Sequence, residues 1–170
     1  TCQKEFGDAC SSREGFEAGL FKIYEVIAQD FLFPDPNNVL VFLDNHDLGR
    51  FMQKGESDLR RYKQAIAFLL TTRGIPQIYY GTEILMSGTK AEGDGIIRTD
   101  FPGGWAGDPK DAFTPEGRTD LQNQAWDYMR KLLNWRQRCD AVRYRNAGRN
   151  RPGAVQVGQE AGLCHPCLLY

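Results

Sequence analysis

A chain of 170 residues, 41% hydrophobic and 25% charged, has enough apolar material for one domain with its own core. Its 21 basic and 22 acidic residues leave a net charge of −1 and form no long runs, which argues against the basic footprint of a nucleic-acid binder and the polybasic segment of a membrane-surface protein. No apolar stretch reaches the roughly 18 residues that a spanning helix needs, so neither nucleic acid nor membrane is an expected partner.

The start, Thr1-Cys2-Gln3-Lys4, is neither a signal peptide nor an initiator methionine, and the chain is expected to begin partway into a longer protein. Five cysteines, Cys2, Cys10, Cys139, Cys164 and Cys167, lie near the two ends in an odd count, which is no disulfide framework for this length. Cys164-His165-Pro166-Cys167 has the spacing of a metal or redox half-site, but a second ligand pair is missing and accident is the better account.

In chain order, Phe16, Leu20, Ile23, Tyr24, Ile27 and Phe31 recur at three- and four-residue intervals and predict an amphipathic helix over residues 15–31. Pro34-Asp35-Pro36-Asn37-Asn38 breaks it and turns the chain into Val39-Leu40-Val41-Phe42-Leu43, which reads as a strand buried on both faces. That strand runs straight into Asp44-Asn45-His46-Asp47. Ser57 can cap a second helix running to about Arg73, with Gly74 as its left-handed C-terminal cap and Gly74-Ile75-Pro76 as its stop. Gln77-Ile78-Tyr79-Tyr80-Gly81 reads as a second strand. Strand, helix, strand is a βαβ unit, and parallel pairing follows.

Residues 82–117 are rich in Gly, Asp, Pro and Thr, yet carry Arg98, Asp100, Phe101, Trp105 and Phe113, so an ordered loop is expected. Thr119 and Gln122 make a capping box for a third helix that includes Ala125, Trp126, Tyr128, Met129, Leu132, Leu133 and Trp135, with both tryptophans read as core. From residue 139 to 170 the sequence has no sustained period. This tail is expected to be non-native sequence that packs poorly, and a reading-frame error near Cys139 would produce it.

A carboxylate and an imidazole at a strand terminus can bind paired hydroxyls, orient a water or hold a metal, because both are strong hydrogen-bonding groups on a rigid support. The bland alternative is that Asp47 caps the following turn and His46 is a satisfied interior histidine. A metal phosphohydrolase would need further His and Asp ligands, and the only other histidine is His165, so no metal site is expected.

Longer stretches carry a resemblance. Phe42-Leu43-Asp44-Asn45-His46-Asp47, with Arg50 and Phe51, resembles the fourth sequence region of the α-amylase superfamily, glycoside hydrolase family 13, which follows the seventh strand of a (β/α)8 barrel. Gly74-Ile75-Pro76-Gln77-Ile78-Tyr79-Tyr80-Gly81-Thr82-Glu83-Ile84 looks like that family's eighth strand, departing from it at Thr82, where an acid is common. Arg98-Thr99-Asp100-Phe101-Pro102-Gly103-Gly104-Trp105 resembles a loop of the neopullulanase and cyclomaltodextrinase branch, and Leu133-Asn134-Trp135-Arg136 the close of the last barrel helix.

The resemblance implies an α/β fold, the C-terminal portion of a (β/α)8 barrel: helix six, strand seven, helix seven, strand eight and helix eight. Residues 1–138 would be a partial catalytic barrel and 139–170 an atypical tail. It implies retaining hydrolysis of α-glucosidic bonds in starch-like substrates, with an α-glucan and the missing N-terminal barrel half as partners. Asp47 is then the third acid, stabilising the transition state, and His46 a hydroxyl donor in the same subsite. Asn45, Arg50 and Trp105 are further candidate sugar contacts, although Trp105 could equally anchor its loop. Glu83 is expected to fix its loop and Asp100 to pair with Arg98. The family's nucleophile and acid/base belong to the fourth and fifth strands, so this chain alone is expected to be inactive. No cofactor is expected, calcium being one that the full-length parent could hold. A non-catalytic carbohydrate-binding or assembly fragment is the competing possibility.

Overall fold

The computed structural model describes residues 23–52, 58–139 and 142. The expected start of the first helix, the Ser57 cap, the Cys164–Cys167 pair and nearly all of the tail lie outside these residues. Within them, the first helix covers residues 23–28 and tightens into a 3-10 turn, Gln29–Leu32. Of its apolar set, Tyr24, Ile27 and Phe31 are exposed, Phe31 to 80%, so the expected buried face is not covered among the described residues. Asp30 at its end forms an ion pair with Arg73.

The predicted parallel βαβ unit is present. Strand β1, Leu40–Phe42, pairs in parallel with β2, Ile75–Gln77, in the register Leu40↔Ile75, Val41↔Pro76, Phe42↔Gln77. Two expectations change here. β1 is not buried on both faces: Leu40 is 52% exposed, and Val41 and Phe42 are half-buried. The second strand is formed by Ile75-Pro76-Gln77, not by Gln77–Gly81. Pro76 has no amide to donate, but in a two-stranded sheet that position can face away from the partner, so the residue expected to stop the helix also sits in the strand.

Helix α1, Leu59–Thr71, is capped by Asp58, whose carboxylate accepts the Arg60 amide at 3.0 Å and the Arg61 amide at 3.4 Å, satisfying donors that the first turn leaves orphaned. Helix α2, Asp120–Arg138, starts on the predicted capping box: Thr119 Oγ1 accepts from the Gln122 amide at 3.3 Å, and Gln122 Oε1 from the Thr119 amide at 3.0 Å. The two helices pack side by side, Tyr62, Ile66 and Leu70 of α1 meeting Ala125, Met129 and Leu132 of α2, with Met52 inserted between. Burying each of the Ile, Leu and Met side chains among them contributes about 1.5–3 kcal/mol, which makes this seam a substantial source of stability. Arg136 closes it by donating to the carbonyls of Leu70 and Gly74, free acceptors at and beyond the end of α1. Trp135 packs against this core as expected. Trp126 does not: it is half-buried at the side, with the Arg118 guanidinium 4.3 Å over its ring.

Gly74 has φ +101° and lies beyond the actual C-cap, Thr72. Its role is close approach. A Cβ there would stand 2.6 Å from the Val39 carbonyl oxygen, the acceptor of the Ile75 amide that opens the strand pairing.

The long connection is an ordered one, as expected. Residues 82–117 form the 3-10 turns Thr82–Ile84 and Lys90–Glu92, a single α-turn at Asp94–Ile97, and a glycine-rich hook stabilised by stacking of Phe101 on Phe113 at 4.6 Å. Ile84, Ile97 and Ala112 are fully buried and pin the loop to the body of the fold.

Candidate functional site

At the carboxyl end of β1 the chain turns through residues 44–51, and buried polar contacts fix that turn. Asp44 is 2% exposed. Its Oδ2 accepts the Phe51 amide at 2.9 Å, closing the turn on itself, and both its oxygens accept from the Thr82 hydroxyl at 3.1 and 3.2 Å. An acid at position 82 would set two carboxylates against each other in the interior; threonine supplies a donor instead.

Burial holds the Asp44 carboxyl above its ordinary range against the opposing pull of the Phe51 amide, the Thr82 hydroxyl and the Arg50 charge. Burial raises Glu83 similarly. A carboxyl whose folded pKa is raised stabilises the fold while protonated. That contribution is complete below the ordinary value of 3.8 and is lost as pH rises through the raised folded value. Urea denaturation of the chain should therefore show wild type gaining on Asp44→Asn as pH is lowered from 7 to 4; a difference independent of pH would contradict this.

Asn45 Oδ1 accepts the amides of Asp47 and Leu48, both at 2.9 Å, so Asn45 caps the turn and its amide group is what remains for a ligand. His46 and Asp47 are both exposed, with Nε2 of the imidazole 3.3 Å from Oδ2 of the carboxylate. Both parts of the bland alternative therefore fail: the histidine is not interior, and the turn is capped by Asn45 rather than Asp47.

Arg50 is placed differently from the other candidates. It is 1% exposed, its Nε donates to the Ile97 carbonyl at 3.0 Å, a second nitrogen donates to the Tyr80 carbonyl, and its guanidinium lies 4.1 and 4.7 Å from the ring centroids of Tyr79 and Tyr80. Its place is beneath the surface, as a brace between the turn and the long loop, so the expectation of a sugar contact at Arg50 is corrected. Tyr79 and Tyr80 follow β2 rather than belonging to it, and their hydroxyls donate to the Ile97 and Thr99 carbonyls at 3.5 and 2.9 Å.

Arg98 has partners other than the one expected. It bonds Asp47 at 3.2 Å, Asp94 at 3.0 Å and the His46 carbonyl at 3.0 Å; Asp100 takes no part in these contacts. Lys90 pairs with the same Asp94 and holds its carboxyl below the usual range, with Arg98 adding to the effect. Sequence spacing favoured Asp100 because it lies two residues away; the helical turn at Asp94–Ile97 brings the residue four positions back under the guanidinium instead. Trp105 is 78% exposed at the tip of the hook that follows Gly103 and Gly104, both at positive φ, and its amide donates to Asp108 at 3.1 Å. Among the described residues no group of three or more His, Cys, Asp or Glu could hold a metal, and no helix is long and apolar enough to cross a membrane.

The described residues form a mixed α/β unit with two parallel strands, and an exposed acid and imidazole at the exit of the first can hydrogen-bond a polar ligand. The family model "Alpha amylase, catalytic domain" matches residues 12–147, and the chain belongs to the α-amylase family. A cyclomaltodextrin glucanotransferase of Paenibacillus macerans is 42% identical over 80 residues, 46% of this chain and 11% of that protein. One from Thermoanaerobacterium thermosulfurigenes is 41% identical over 83 residues, 49% of this chain and 11% of that protein. An α-amylase of Niallia circulans is 52% identical over 52 residues, 31% of this chain and 10% of that protein. The solved structure of Gamma-CGTASE from alkalophilic Bacillus clarkii is 32% identical, with a TM-score of 0.49, over 74% of this chain and 16% of that one. The chain thus spans about a tenth of the length of these curated relatives. They are glucanotransferases and an amylase, so they support the family but not specifically the neopullulanase branch.

Proposed function

We propose that this chain is part of a retaining α-glucan-active enzyme, in which β1 and β2 are the seventh and eighth strands of the catalytic barrel, α1 and α2 its seventh and eighth helices, and 1–138 the extent of barrel sequence. Asp47 is the acid that hydrogen-bonds sugar hydroxyls and favours the distorted ring, and His46 donates in the same subsite. Asn45 contributes its amide group, and Trp105 a face for stacking on a pyranose. The observation that carries this reading is the exposed Asp47–His46 pair, held at a strand exit by a turn that Asn45 Oδ1 and the buried Asp44 carboxylate fix.

Retaining chemistry needs a nucleophile and an acid/base about 5 Å apart, flanking an oxocarbenium-like transition state. Asp44 is buried on Thr82 and Asp94 is tied to Lys90 and Arg98, so neither of these nearby acids is placed to take those roles. By the resemblance the nucleophile and acid/base belong to the fourth and fifth strands, so the isolated chain is expected to bind sugar without cleaving it. A reducing-end assay of the purified chain with soluble starch should show no turnover; turnover abolished by Asp47→Ala would mean that the chain carries its own nucleophile and acid/base.

The loop 98–105 supports hydrolysis of the neopullulanase kind, whereas the names of the relatives favour glucanosyl transfer. Both run through the same glycosyl-enzyme step and differ in the acceptor, water or a sugar hydroxyl. The parent's product pattern on starch, cyclic or linear, separates them.

A further inference from the structure

The long loop meets the candidate site through one side chain. Arg98 Nε donates to the His46 carbonyl at 3.0 Å, and Nη2 lies between Asp47 Oδ1 at 3.2 Å and Asp94 Oδ2 at 3.0 Å. The two acceptors in the turn are 52 and 51 residues from Arg98 in sequence, so this is a tertiary contact rather than a local pairing.

The loop backbone is fixed on both sides of it. The preceding carbonyl, Ile97 O, accepts from buried Arg50 at 3.0 Å, and the following one, Thr99 O, accepts from Tyr80 at 2.9 Å. Ile97 itself is fully buried, and Gly88 packs closely against this segment: a Cβ there would stand 3.2 Å from the Ile96 side chain and 3.4 Å from that of Ile97. A surface arginine on a free loop gives up side-chain and backbone entropy to hold a carboxylate. Here much of the backbone part is already supplied by Arg50, Tyr80 and Ile97.

We infer that Arg98 is a positioning residue for sugar binding: it holds the Asp47 carboxylate and the His46 peptide in one arrangement, and so couples the long loop to the sugar subsite. The guanidinium engages Oδ1 from the loop side, while the remaining lone pairs of the carboxylate stay available for hydroxyls. Asp94 accepts from the same nitrogen and helps to hold the guanidinium in place. The inference rests on the proposed role of Asp47.

The test is isothermal titration of the full chain with maltohexaose, in a cycle of Arg98→Gln and Asp47→Asn. Arg98→Gln is expected to weaken binding about fivefold, the upper range for one exposed charge pair. In the Asp47→Asn background the same change should cost clearly less, at most about twofold, because the charge pair is gone and mainly the His46 peptide is left to hold. Arg98→Lys keeps the charge but loses the fork and should resemble Arg98→Gln. An equal loss in both backgrounds, or full affinity in Arg98→Lys, overturns the positioning role. If Asp47→Asn weakens binding while Arg98→Gln does not, this inference falls and the sugar-site reading stands. If wild type does not bind, or Asp47→Asn binds as well as wild type, the reading beneath it falls too.

Discussion

Asp47→Ala is expected to weaken binding of a malto-oligosaccharide to this chain by roughly 10- to 100-fold, the equivalent of about 1.5–3 kcal/mol for hydrogen bonds to a charged group. The side chain is exposed and lies outside the core, so the loss should come without a change in unfolding midpoint. Asp47→Asn should fall between, since an amide keeps one acceptor and loses the charge. In the longer parent the same substitution should act on kcat more than on KM, because a group that favours the distorted ring strengthens its hydrogen bonds as charge develops. Titration calorimetry on the chain and steady-state kinetics on the parent check the two halves separately. Unchanged affinity in Asp47→Ala would place the ligand elsewhere, the first alternative being the apolar groove between Ile78, Trp126 and Leu133.

The second large effect falls on the support of the site. Gly74→Val is expected to destabilise the chain by about 3 kcal/mol or more, with Gly74→Ala smaller in the same direction. Two costs add: roughly 1–2 kcal/mol for an L side chain in the left-handed region, and displacement of the β1 backbone. A Cβ at Gly74 meets the Val39 carbonyl at 2.6 Å and the Val41 side chain at 3.1 and 3.3 Å, so it wedges β2 off β1 where their pairing begins. The control is Gly95→Ala, where nothing lies within 4 Å and the effect should be near neutral. Urea midpoints of the variants measure this. A Gly74→Val chain within 0.5 kcal/mol of wild type would show that the parallel register is wrong, 0.5 kcal/mol being about the spread of ordinary surface substitutions.

The helices were legible because their signals are local. Thr119 and Gln122 announced the start of α2 with a capping box, and the three-and-four spacing of Ala125, Met129 and Leu132 marked its buried face. The strands were legible as a parallel pair but not in their limits. Ile75 and Pro76 look like a helix stop because proline is judged by what it forbids, and only the partner strand shows that its missing amide costs nothing there. Asp58 took the cap expected of Ser57 because both residue types are good caps one position apart, and periodicity fixes a helix start no better than that.

The site divides along the same line. Asn45, His46 and Asp47 could be picked out from a motif contiguous in sequence. What Arg50 and Arg98 do could not, since each depends on acceptors tens of residues away that only the folded loop brings close. Thr82 carried the one usable signal, a neutral residue where the family often has an acid, and its explanation lay in Asp44, 38 positions earlier.

Amide and indole chemical-shift mapping of the full chain during titration with maltohexaose tests the sugar site most directly. The expected result is a saturable set of shifts confined to Asn45, His46, Asp47, Arg98 and the Trp105 indole, lost in Asp47→Ala. Shifts confined to the groove between Ile78, Trp126 and Leu133, or none at millimolar sugar, would contradict it.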